Sequence, residues 1–170
     1  MVRAAVTTNL QILSPSRRAL RPGDLFVMRL PEELHLFGRV VSIEAWAGWR
    51  MPHAILIYIY DTKIHDTKSD RPAPPKRAVL RRDRLLVPPI MTNRLPWSRG
   101  YFETIDHMPL QPGDVYRPHC FVDSLRGVCL DEFTNQLRRC VEPCGEWGLH
   151  SFRTIDDAVS AALGIPLAPE

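Results

Sequence analysis

The chain has 170 residues, 45% of them apolar and 24% charged, with a formal net charge of +3; this is the balance of an ordinary soluble globular protein of one domain. Sixteen prolines against nine glycines exclude a helical bundle and favour short elements joined by rigid loops, because proline breaks helix interiors and central strands. No apolar run approaches the roughly 20 residues that span a bilayer, and the first residues lack the apolar stretch of a secretory signal, so a cytoplasmic location is expected.

Taken in order, residues 1–20 read as an N-terminal arm, either loosely held or a short edge element, and residues 21–166 as a single domain. Residues 22–45, PGDLFVMRLPEELHLFGRVVSIEA, hold two apolar runs, 25–30 and 36–43, separated by Pro31-Glu32-Glu33. Their β-branched and aromatic content predicts a hairpin. Pro22-Gly23 supplies the leading turn, Asp24 caps nearby backbone N–H groups, and Gly38 marks a bulge or a close backbone approach. Arg39 inside a strand calls for a carboxylate partner. A loop with Trp46, Trp49 and Arg50 follows. Residues 54–60, AILIYIY, are apolar on both faces and predict a central strand.

Charge is unevenly spread: +2 over residues 1–61, +5 over 62–84 and −4 over 85–170. The basic, proline-bearing stretch 62–84 reads as a long loop insertion. A strand is predicted at 84–87, stopped by Pro88-Pro89, and another at 101–105 beside Trp97, Arg99 and Gly100. Gln111-Pro112-Gly113-Asp114 repeats the turn chemistry of Arg21-Pro22-Gly23-Asp24. A hairpin is expected around residues 124–127. The one helix predicted with its caps has Thr154 as N-cap, an apolar stripe of Ile155, Val159, Ala162 and Leu163, and Gly164 as its stop. The expected fold class is α+β, mostly β: a curved, mainly antiparallel sheet, open or partly closed as a barrel, with a C-terminal helix packed on it.

The four cysteines, Cys120, Cys129, Cys140 and Cys144, are expected as reduced thiols. A zinc set of Cys140, Cys144, Cys120 and His119 lacks the second tight ligand pair of a structural site, so no metal is expected. The chain contains no nucleophile elbow, phosphate loop, zinc-protease helix or dinucleotide fingerprint. Adjacent pairs such as His65-Asp66 and Asp106-His107 point to opposite faces of a strand. No catalytic residue and no cofactor are therefore expected.

The order of motifs resembles the immunity protein 26 family of bacterial polymorphic toxin systems. The resemblance is carried by Pro22-Gly23-Asp24-Leu25-Phe26 with Leu30, by Phe37-Gly38-Arg39-Val40, and by the isoleucine-rich strand at 55–59. It continues through Pro88-Pro89-Ile90, Trp97-x-x-Gly100-Tyr101-Phe102, Pro109-Leu110, and Asp123 through Gly148-Leu149 into the helix. Gly23, Asp24, Gly38, Arg39 and Gly100 are its structural positions. The resemblance implies a non-catalytic protein that occludes a cognate toxin's active site across an interface of standard size. Buried Trp, Tyr and Arg anchors dominate such interfaces, which selects Trp46, Trp49, Arg50, Trp97, Arg99 and Tyr101. If the toxin is a nuclease, the acidic half, with Asp123, Asp131 and Glu132, is the complementary face. The alternative is a β-barrel module that binds nucleic acid through the basic stretch 62–84.

Overall fold

The computed structural model describes residues 7–65 and 72–170; the parts of the N-terminal arm and of the basic stretch at 1–6 and 66–71 lie outside the described residues. The apolar runs of residues 24–59 become β1 (Asp24–Leu30), β2 (Leu34–Ala45) and β3 (Ala54–Ile59). With β4 (Ile64–His65), β5 (Ile90–Thr92) and β6 (Glu103–His107) they form a six-stranded antiparallel sheet of order β5-β3-β2-β1-β6, in which β4 pairs with β2. The sheet is open, so the barrel expectation resolves to a curved sheet. Its irregularities fall between Val40 and Ala45 of β2 and between Leu25 and Phe26 of β1, not at Gly38. Gly38 is instead a close approach. It pairs with Phe26, and a Cβ at Gly38 would sit 2.2 Å from the Phe26 ring.

Side-chain alternation divides the core into two layers. Phe26, Met28, Leu30, Ile55, Ile57 and Ile59 join one cluster, and Leu25, Val27, Leu56, Tyr58 and Tyr60 join the other. Both faces of β3 are therefore covered, as a doubly apolar strand demands. The first cluster is closed by the short helix α1 (Leu95–Ser98), by Tyr101 and Phe102, and by α2 (Phe152–Leu163). The second is closed by Leu80, Val115, Phe121 and Trp147.

Three expectations are corrected. The arm is packed over residues 7–20: Leu10 is 2% exposed, and Gln11, Leu13 and Ser16 donate backbone N–H bonds to Arg29, Gly100 and Trp97. Asp156 of α2 clamps it, accepting from Asn9 N at 3.1 Å and Leu10 N at 2.7 Å. Helix α2 starts earlier than predicted. Ser151 is the N-cap, accepting from Thr154 N, because a cap needs extended backbone and Thr154 already lies in the helix; Gly164 is the left-handed stop, at φ 71°. The stretch 84–87 makes only a bridge from Leu85 to Tyr60, since the prolines that follow leave no room for a ladder.

The remaining strands form a second, three-stranded sheet of order β8-β7-β9, from β7 (Cys120–Asp123), β8 (Val128–Leu130) and β9 (Cys144–Glu146). The β7–β8 pair is the predicted hairpin, and β9 joins β7 in parallel. The thiols in this sheet are paired, Cys120 with Cys144 and Cys129 with Cys140, which corrects the expectation of reduced cysteines: strand pairing brings together residues that sequence spacing keeps apart.

Candidate partner-binding face

The two Pro-Gly-Asp motifs build the same device. Asp24 Oδ2 accepts from Arg21 N at 3.1 Å, and Asp114 Oδ2 accepts from Gln111 N at 2.8 Å. Each aspartate caps the turn three residues back and then takes a further side-chain partner. Asp24 Oδ1 lies 2.8 Å from His107 Nδ1. Asp114 pairs with Arg39 at 3.2 Å and Arg77 at 2.6 Å. Arg39 is fully buried and also donates to the Met108 and Pro109 carbonyls. Its carboxylate partner is thus the aspartate of the second motif, 75 residues away. Gly23 donates to Val40 O. Gly100 takes φ 86° with Pro15 N packed 2.8 Å from where a Cβ would stand, so the arm sits on the one residue type that leaves it room.

The described parts of the basic stretch are docked rather than free. Arg77 holds Asp114, Arg82 donates to Val115 O and accepts through its own carbonyl from the Tyr116 hydroxyl, and Leu80 is 2% exposed. The stretch keeps its loop character, with Ala73, Pro74, Ala78 and Val79 exposed, and its arginines rather than its apolar residues hold it to residues 109–115.

The aromatic and charged candidates separate onto the two faces of the large sheet. Trp97 (1% exposed) and Tyr101 (7%) are core residues of the first cluster. Trp97 stacks edge-on against Phe26 and Phe102, and Tyr101 stacks on Phe152. Arg99 beside them is exposed, its backbone N–H closing α1.

On the other side, the β2–β3 loop meets the second sheet. Trp46 N–H donates to Glu132 O at 2.8 Å, and this bond ties the loop to residues 131–135. Trp49 is 55% exposed and packs edge-on against Trp147 at 5.8 Å. The Arg126 guanidinium lies 5.0 Å from the Trp49 ring and 5.9 Å from the Trp147 ring. Asp123 fixes that guanidinium through a 2.6 Å bond from Arg126 Nε, and Arg126 beside it holds the Asp123 carboxyl below the usual aspartate range. Arg50 is exposed next to Trp49. Leu125 at the hairpin tip, Met51 and Phe133 are exposed apolar residues on the same connecting segments. Arg126 and Trp147 are not legible as site residues in the sequence: one reads as a turn residue, the other as an isolated aromatic among glycines and cysteines.

The acidic candidates are largely spent within the molecule. Asp131 caps its own turn, accepting from Phe133 N and Asn135 N. Glu132 is 8% exposed and accepts from His119 N at 3.0 Å, with His119 Nδ1 3.1 Å from its other oxygen. His119 Nε2 in turn meets the Tyr58 hydroxyl at 2.6 Å, and Tyr116 N donates to that hydroxyl. Burial pushes the Tyr58 phenol well above the ordinary tyrosine range. Burial also works to raise Glu132, but the His119 side-chain and backbone hydrogen bonds outweigh it and hold the carboxyl below its usual value. This chain of groups straps residues 116–132 to β3.

The sheet, the paired Pro-Gly-Asp turns and the Arg126 tip all fall inside one matched region. The family described as Immunity protein 26 matches residues 21–126. The chain belongs to the Immunity protein 26 family. The matched region starts at the first turn and ends at Arg126, so it contains Trp46, Trp49, Asp123 and the whole six-stranded sheet; the rest of the second sheet and α2 lie beyond it. Comparison with curated proteins and with solved structures gives no match. No helix among the described residues is long and apolar enough to cross a membrane.

Proposed function

We propose that this immunity protein works by occlusion: it binds a cognate protein toxin in the cytoplasm and covers the toxin's active site, with no chemistry of its own. The observation that carries the reading is the exposed pair Trp49 and Arg126 stacked against the half-buried Trp147. An aromatic and a guanidinium held rigid before binding lose little conformational freedom on contact, and Trp and Arg are the residues in which interface energy concentrates. Trp46, Arg50 and the exposed Leu125, Met51 and Phe133 extend this face around the stack. Asp123 and Glu132 act from behind it, one aiming Arg126 and the other anchoring the Trp46 backbone.

Co-expression with the toxic protein encoded beside it is the test. The wild-type chain should rescue growth and co-purify with the toxin. Trp49→Ala and Arg126→Ala, with unchanged circular dichroism, should each weaken binding by about 2 kcal/mol, roughly 30-fold. Full rescue and unchanged affinity in both variants would remove this face from the interface.

The nucleic-acid alternative draws support from one observation. Arg82 of the basic stretch shares a groove with Arg117, Arg138 and Arg139 from the later half of the chain. That reading requires RNA or DNA affinity at low salt that falls by decades towards physiological salt; no binding at low salt would end it.

A further inference from the structure

The second sheet brings three of the four cysteines together, Cys120, Cys129 and Cys144. Cys120 and Cys144 are directly paired across β7 and β9. Cys129 stands opposite Val122, two residues on from Cys120, so side-chain alternation turns all three to the same face. The sulfurs of Cys120, Cys129 and Cys144 lie within 4.8 Å of one another. Cys140 reaches the cluster from the loop after β8 and is bonded to Cys129. Cys120 and Cys129 are each 3% exposed, whereas Cys140 is open to solvent, which leaves one side of the cluster accessible.

We infer that in its reduced form this cluster is a four-thiolate site for one zinc-type divalent ion, with Cys120, Cys129, Cys140 and Cys144 as the ligands. Four sulfurs around one zinc at about 2.3 Å stand roughly 3.8 Å apart, a spacing that three of these four reach with small shifts. Soft thiolate donors in a tetrahedral set select zinc over harder cations. His119, the nitrogen ligand that sequence spacing suggests, is not part of the set, because its ring is engaged by Tyr58 and Glu132.

The electrostatic surroundings fit the same assignment independently. Four thiolates on one divalent ion carry a net double negative charge, which needs neighbouring cations. The groove that Cys120 lines is also lined by Arg82, Arg117, Arg138 and Arg139, and nearby arginines favour the thiolate over the thiol. The metal centre and the disulfides are alternative states of the same sulfurs. Passing from the first to the second forms two S–S bonds, releases the ion and gives up four electrons. Two equivalents of a two-electron oxidant, such as a low-molecular-weight disulfide, take up those electrons, each leaving as two thiolates.

The experiment uses the full chain, reduced and stripped of metal under anaerobic conditions, with cobalt(II) and then zinc as probes. The reduced protein should take up one cobalt per chain, with the charge-transfer and intense ligand-field bands of tetrahedral tetrathiolate cobalt. Zinc should bleach those bands and protect all four cysteines from alkylation, while the oxidised protein should bind neither ion. Cys140→Ser tests the ligand whose exposure makes folding least sensitive to change. It should weaken zinc binding by more than the roughly 10–100-fold that an outer-sphere partner carries. A cobalt spectrum that stays octahedral, coordination by fewer than four thiolates, or unchanged affinity in Cys140→Ser would overturn the assignment. None of these readouts involves a toxin, so the result is separable from the binding face proposed above.

Discussion

Arg39 is the residue on which the two Pro-Gly-Asp turns converge. It enters the core from the middle of β2, fully buried, and its charge is tolerable only because Asp114 and two carbonyls receive it. Burial pushes the neighbouring Tyr60 phenol up to about 12, with Arg39 acting to lower it, so the tyrosine stays neutral beside the pair. Truncating one member of a buried pair leaves the other unpaired, which costs about 3–5 kcal/mol. Arg39→Ala is therefore expected to lose stability on that scale in chemical denaturation. A loss below about 1 kcal/mol, the level of an exposed pair, would show that Asp114 is satisfied by Arg77 alone. Trp49 contrasts with this: it faces solvent and carries little of the core, so its substitution should leave the denaturation midpoint nearly unchanged.

Among the elements, the β1–β2 hairpin is well patterned in its strands and poorly matched in its turn. Leu30 pairs with Leu34 around Pro31-Glu32-Glu33, and Glu32 and Glu33 both take positive φ, 62° and 56°. Two successive left-handed residues are what a tight hairpin needs, and Asn-Gly meets that need with little strain. The Glu33 carboxylate lies 3.9 Å from Arg29, a contact open to solvent on the glutamate side and worth little. Replacing Glu32-Glu33 by Asn-Gly should raise stability by about 1–2 kcal/mol, measured as a shift in the denaturation midpoint. No gain would mean that the glutamates make compensating contacts in the folded state. The N-terminal arm is the opposite case: weak in its own pattern, yet fixed by ladder-like bonds to β1 and α1 and by the buried carboxylate of α2.

At the scale of the whole molecule, the design is one sheet covered on both sides, with α2 and the arm on one face and the second sheet on the other. The Tyr58–His119–Glu132 strap is what joins the second sheet to the first, and it is sensitive to acid. Glu132 is held below its usual value in the folded state, so its contribution is fully present above the unfolded value of about 4.5. That contribution is lost as pH falls through the lowered folded value. Asp123 is lowered as well and adds a dependence of the same sign. Stability should thus fall with acidification below about pH 4.5, and Glu132→Gln should flatten that limb while lowering stability near neutrality. An identical slope in wild type and Glu132→Gln would place the acid sensitivity elsewhere.

The features legible in the residues alone are local and periodic. The alternation in residues 54–60 dictates a strand covered on both faces, the Pro-Gly-Asp triplets dictate capped turns, and Gly164 dictates the end of α2. These follow from backbone sterics and nearest-neighbour hydrogen bonds, which operate within a few residues. Family membership was legible for the same reason, since its motifs are short and mainly structural. Which distant residues share a surface depends on the packing of the folded chain. It sent Trp97 and Tyr101 into the core and left Trp49 outside with Arg126, against a half-buried Trp147. It spent Glu132 and Asp131 on internal caps and brought together three of the four cysteines scattered over residues 120–144. Charge and aromaticity are properties of a residue. Exposure and partnership belong to the packed chain, because burial is settled by which elements cover one another.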